Sequence, residues 1–157
     1  AAALCLLGPQ AKAGVPALCN LLCGRGQEKG PPKGELASLV ESALGLIGAA
    51  AIPAVQQLLV DLDHSVRIAA LSTLGRMGPT ALPALPAIIE SLNDEDQLVC
   101  CKALATLGNF GTAANTAIPA IIRALEDEDW LIRSNTRRAL ERIDRQPQVI
   151  VVGKTRT

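Results

Sequence analysis

The chain has 157 residues, a formal net charge of zero and 49% apolar residues, with no Tyr, one Phe and one Trp. Zero net charge excludes a strong non-specific attraction to nucleic acid or to an anionic membrane surface. The scarcity of aromatic rings excludes a stacking platform for bases, sugars or flat cofactors.

At the start, residues 1–7 (AAALCLL) carry no initiator Met and no charged leading region, a poor match to a signal peptide. Gly8, Gly14 and Pro16 interrupt this stretch, so no apolar run is expected to reach the roughly 20 residues that a spanning helix needs. Residues 4–8 align instead with 44–48 and 74–78, which predicts a half-repeat at 1–8 and a longer parent protein. Residues 16–22 (PALCNLL) then match 53–59, opening a repeat at about 9–48. Its second helix, near 35–47, is delayed by seven extra residues, so 24–32, rich in Gly, Pro and charge, is expected to be an exposed loop insertion.

From 52 to 144 one unit is written three times in a 33-residue frame. Pro53, Pro86 and Pro119 fall in step, as do Asp61, Asp94 and Asp127; Asp63, Asp96 and Asp129; and Val66, Val99 and Ile132. Self-similarity at this period marks a stacked repeat array. Within a period, Val55, Leu58, Leu59 and Val60 recur at helical spacing, the acidic turn breaks the run, and Val66, Ala69, Ala70, Leu74 and Met77 resume it, so each unit is a helical hairpin. Asp63, Asp96 and Asp129 stand where N-caps belong, and Gly78 and Gly111 where left-handed helix stops belong. Pro86 and Pro119 lie eight positions after Gly78 and Gly111, but Pro53 lies five after Gly48, which predicts a shorter first helix there.

These copies bound repeats at about 49–78, 79–111 and 112–146. In the last, Glu141 and Asp144 replace glycines and Arg137 takes the slot of Leu71 and Leu104, as expected of a polar cap. Residues 147–157 are expected to form an extended tail. The fold expected is all-α: a right-handed α-solenoid, a HEAT/armadillo-like superhelix of about four helical hairpins plus an N-terminal half-repeat, spanning 1–146.

The frame of Leu74, Gly75, Met77 and Gly78, followed by Pro86-Ala87-Ile88 and then Asp94, Asp96 and Val99, with Arg67 or Arg133 after the valine, resembles the short bacterial-type HEAT-like repeats of phycobilin lyase-like subunits. That resemblance implies that the second helices line the concave face. It also implies that the Arg after the valine bonds to an Asp near a turn, as a ladder between repeats. Ala37 and Cys100 take two of the Arg positions, so stacking there is expected to lean on apolar contact.

Chemistry is sparse. His64 is the one histidine, so no multi-histidine metal site can be built, and its place after an N-cap predicts a water-facing side chain. Cys5, Cys19, Cys23, Cys100 and Cys101 contain no CxxC pair. Cys19 and Cys23, one turn apart, could share a soft metal or a disulfide partner, but free cysteine ordinarily serves as a small buried apolar residue, and a reducing cytoplasm is the default. No catalytic residue, cofactor or metal is expected.

The acidic turns predict a ridge along one edge, explained by capping and macrodipole complementarity. Across the second helices Ser38, Ser42, Ser72, Arg76, Lys102, Asn109, Arg138 and Arg142 form a small, polar strip that grows basic toward the C-terminus. The function expected is a non-catalytic scaffold holding another protein or peptide on that strip. The alternative, from resemblance alone, is a subunit of a bilin lyase-like or other modifying complex. Nucleic-acid binding at the basic C-terminal end has too few basic residues behind it, and no membrane partner is expected.

Overall fold

A computed structural model of the chain describes residues 12–24 and 34–144. The half-repeat at 1–8, nearly all of the 24–32 insertion, Cys5 and the 147–157 tail lie outside the described residues.

The described elements are helical hairpins in series. We number them α1 (Val15–Leu22), α2 (Glu35–Ile47), α3 (Ile52–Gln57), α4 (His64–Met77), α5 (Leu85–Glu90), α6 (Gln97–Phe110), α7 (Ile118–Arg123) and α8 (Trp130–Ile143). Odd numbers are first helices and even numbers second helices. Each of α3, α5 and α7 is six residues of α-helix with Pro near its start, flanked by 3-10 turns. Proline costs little there because its missing amide falls in the opening turn. The 3-10 segment ahead of α3 has four residues, Gly48–Ala51, against seven in Gly78–Ala84 and Gly111–Ala117. The spacing between glycine and proline sets that difference.

Two aspartates in tandem build each hairpin turn. Asp61, Asp94 and Asp127 accept the backbone N–H of the aspartate two residues on, at 2.8–3.0 Å. That second aspartate, Asp63, Asp96 or Asp129, caps the second helix by accepting from the amides of Ser65, Leu98 or Leu131 at 2.6–2.8 Å. Each such cap stabilises by about 1 kcal/mol.

The glycine stops have the expected positive φ but not the expected ψ. Gly48, Gly78 and Gly111 sit at φ 70°, 57° and 56° with ψ near −140°. This is the mirror-extended region rather than the left-handed helical one, and only glycine occupies it without strain.

The core is aliphatic, as the composition requires. Leu44, Leu74 and Leu107 on the second helices, and Val55, Ile88 and Ile121 on the first, are fully buried in equivalent places. Ala51, Ala84 and Ala117, also fully buried, occupy matching places ahead of each first helix. Successive second helices stack side by side, most extensively α6 against α8, whereas first helices touch mainly through their 3-10 ends. Phe110 is buried and Trp130 exposed. On α8, Arg137 is exposed where Leu71 and Leu104 are buried.

One expectation is corrected. Glu35–Val60 has a mean hydropathy of 1.8 over an 18-residue window, long and apolar enough by composition to cross a membrane. The chain breaks at Gly48 and again enters a 3-10 turn at Leu58, so the segment is a helical pair with Val40, Leu44, Ile52, Val55 and Leu59 buried in the array. Leu36, Leu39, Leu46 and Val60 of the same segment are exposed.

Candidate partner-binding face

The eight polar residues of the strip all lie on second helices: Ser38 and Ser42 on α2, Ser72 and Arg76 on α4, Lys102 and Asn109 on α6, Arg138 and Arg142 on α8. Two groups among them touch. The Arg76 guanidinium reaches back across the repeat boundary, donating from Nη2 to Ser38 Oγ at 2.9 Å and from Nη1 to Ser42 Oγ at 3.4 Å. Its Nε meets the Glu41 carboxylate at 3.1 Å. Glu41 was missed from sequence, although it lies one turn from Ser38 and so on the same helix face. Further along, Arg142 Nη1 donates to Asn109 Oδ1 at 3.0 Å. Among the described residues, no hydrogen bond ties Ser72, Lys102 or Arg138 to either group.

Arg76, Asn109 and Arg142 are equivalent in the 33-residue frame, and each lies over a glycine of the preceding second helix. A Cβ on Gly45 would lie 4.0 Å from Arg76 Cβ; on Gly75, 3.3 Å from Asn109 Nδ2; and on Gly108, 3.3 Å from Arg142 Cδ and from Ala139 Cα. Small residues at these points let the helices approach and seat the polar side chains across each boundary. Arg76 is about half-exposed, so its pairing with Glu41 contributes at most about 1 kcal/mol. The group fixes side-chain geometry more than it stabilises the fold.

The opposite kind of arginine occupies the turn edge. Arg67 is buried, 7% exposed, and donates from Nη1 to the carbonyls of Asp61 and Leu62 at 2.8 and 3.2 Å. Its Nη2 meets the Asp94 carboxylate of the next repeat at 2.8 Å. That hydrogen bond raises the guanidinium pKa above its already high ordinary value, while Nε is buried and faces no acceptor. Arg133 repeats the two carbonyl bonds, to Asp127 and Glu128, at 2.8 and 2.7 Å. Between them, the Cys100 thiol makes a single bond of the same kind, to the Asp94 carbonyl at 3.1 Å.

Among the described residues, Cys19, Cys100 and Cys101 form no disulfide. Burial, foremost among the causes, pushes the thiols of Cys19, Cys100 and Cys101 up, which disfavours thiolate chemistry. Among the described residues, no three His, Cys, Asp or Glu side chains converge as a metal site. His64 is half-exposed, with Nδ1 3.9 Å from Asp96 Oδ2.

A family model described as HEAT repeats matches residues 85–152, and one described as PBS lyase HEAT-like repeat matches 66–94. Among solved structures, the complex of CpcE and CpcF of phycocyanin lyase from Nostoc sp. PCC7120 is similar. The match has 22% identity and a TM-score of 0.65, covering 83% of this chain and 78% of that one. A designed armadillo repeat protein in complex with the peptide (KR)4 matches at 17% identity, covering 90% of this chain and 73% of that one, with a TM-score of 0.58. An engineered protein matches at 22% identity, covering 83% of this chain and 62% of that one, with a TM-score of 0.55. No curated protein matches the sequence. At such identities the likeness shows the fold alone. Hairpin frame, tandem-aspartate turns and stacked second helices agree with the two repeat models, and the described residues fold as an α-solenoid of HEAT-like repeats.

Proposed function

We propose that this chain is a non-catalytic interaction scaffold that holds another protein or peptide on the face made by α2, α4, α6 and α8. One observation carries the reading: Arg76, Asn109 and Arg142 recur in register over Gly45, Gly75 and Gly108, which makes a polar strip continuous across three repeat boundaries. Stacked repeats offer an extended surface of this kind, and a chain laid along it meets donors at each repeat. Ser38, Ser42 and Arg76 form the N-terminal part. Ser72, Lys102, Asn109, Arg138 and Arg142 continue it, ending with exposed arginines suited to carboxylates or carbonyls.

A second reading, a subunit of a bilin lyase-like or other modifying complex, is favoured by the lyase-type repeat model over 66–94 and by the likeness in fold to the phycocyanin lyase complex. Both readings place a protein partner on the strip. Replacing Arg138 and Arg142 by Glu tests them together. Affinity capture from the source cell is expected to lose its partner while helical circular dichroism persists. Capture that survives both charge reversals removes the strip from the interface. A captured partner that carries or accepts a bilin would select the second reading.

A further inference from the structure

Among the described residues, two recesses on the turn edge share part of their walls at the 33-residue interval. The first, about 490 Å³, is walled by Leu59, Asp61, Arg67 and Asp94. The second, about 580 Å³, is walled by the counterparts Leu92, Asp94, Cys100 and Asp127. In the first, the Arg67 guanidinium spans two carbonyls of its own repeat and the carboxylate of the next. In the second, a thiol stands at the arginine's position and reaches the first carbonyl alone. The Asp127 carboxylate, counterpart of Asp94, accepts the backbone N–H of Asp129 at 2.8 Å and forms no ion pair among the described residues.

We propose that the recess beside Cys100 receives an arginine side chain from a basic segment of a partner protein, completing from outside the rung that Arg67 completes from within. The occupant is identified by the molecule's own precedent: one repeat earlier Leu59, Asp61 and Asp94, counterparts of Leu92, Asp94 and Asp127, surround a guanidinium that meets the Asp94 carboxylate at 2.8 Å. Carboxylate and carbonyl acceptors set side by side suit the planar, multi-donor fork of arginine better than the point charge of lysine. The surroundings favour a cation. Glu95 and Asp129 border the recess, and the neighbouring Arg133 has its Nη1 committed to the carbonyls of Asp127 and Glu128. This edge is distinct from the strip on the second helices, so the two sites stand or fall separately.

The test is a titration of the ¹⁵N-labelled chain with acetyl-Gly-Arg-Gly-amide, followed by amide shifts, with lysine and citrulline peptides as controls. Saturable shifts are expected at 94–100 and 127–129. The response should be larger for arginine than for lysine, absent for citrulline and weakened by salt. Cys100→Arg, which sets the chain's own guanidinium at the register where Arg67 meets Asp94, should engage Asp127, abolish the shifts and raise the melting temperature. Asp127→Asn should abolish them with the recess still open, and it decides the matter if Cys100→Arg does not fold. Shifts that persist in Asp127→Asn, that citrulline reproduces, or that centre on 61–67 would overturn the proposal.

Discussion

The junction of α4 with α6 and that of α6 with α8 are written in the same 33-residue frame, yet they are held differently. The first carries the buried Arg67–Asp94 rung at 2.8 Å. The second has Cys100 in place of the arginine, and its helices nevertheless pack over more of their length. There the backbone of α8 comes close enough that a Cβ on Gly108 would lie 3.3 Å from Ala139 Cα. Apolar burial and close backbone approach therefore carry the stack, and the charged rung orients the turns upon it. A buried ion pair that fixes geometry while adding modest net stability is what desolvation costs lead one to expect.

The most damaging change should be Leu107→Ala. Leu107 is fully buried on the helix shared by both junctions, and its truncation is expected to cost about 2–5 kcal/mol in chemical denaturation. Arg67→Ala should cost less, about 1–3 kcal/mol, chiefly from the two carbonyls and the carboxylate left without their donor. The order of the two effects is the point. An arginine variant less stable than the leucine variant would make the rung, and not the core, the main tie between repeats.

Glycine replacements separate the junctions further. Gly108→Ala brings a methyl group against the α8 backbone, which can yield only by moving the helix, so overpacking of about 1–3 kcal/mol should outweigh the roughly 1 kcal/mol that alanine gains in a helix. Gly75→Ala brings its methyl to 3.3 Å from Asn109 Nδ2 and 3.4 Å from Thr106 Oγ1, side-chain atoms, and the exposed Asn109 can shift by a few tenths of an ångström while keeping its bond from Arg142. That variant is expected to be near neutral. Equal thermal shifts for the two would mean that close backbone approach is not what distinguishes α6 on α8.

Much of this was legible in the chain because a repeat states each physical requirement several times. Tandem aspartates, glycine stops and prolines in step predicted hairpins and caps, and the structure places them there. The ψ of the stops was not legible, since a glycine in sequence announces positive φ without saying which positive-φ basin the next 3-10 turn demands. Nor was the role of Gly45, Gly75 and Gly108 as seats for Arg76, Asn109 and Arg142, because that depends on how one helix lies over another. Glu41 escaped notice for the same reason: its partner is 35 residues away. In sequence Cys100 interrupts the ladder, and the hydrogen bond of its thiol to the Asp94 carbonyl depends on the fold of the turn.

The smallest effect is expected at Ser72, and it bears on the face opposite the core. Ser72 lies on α4 between fully buried Leu71 and Thr73, yet it is half-buried and, among the described residues, forms no hydrogen bond with another repeat. Ser72→Ala should therefore change unfolding free energy by less than about 0.5 kcal/mol, as for a surface site without a specific contact. Ser72 differs in burial from Leu71 and Thr73 because a helix turns successive residues about 100° apart. If Ser72→Ala destabilised the chain as much as Leu107→Ala, the second helices would be rotated from the faces assigned to them. The strip proposed for a partner would then lie inside the stack. A neutral Ser72→Ala beside a costly Leu107→Ala keeps the polar face outward, where Arg138 and Arg142 can meet another chain.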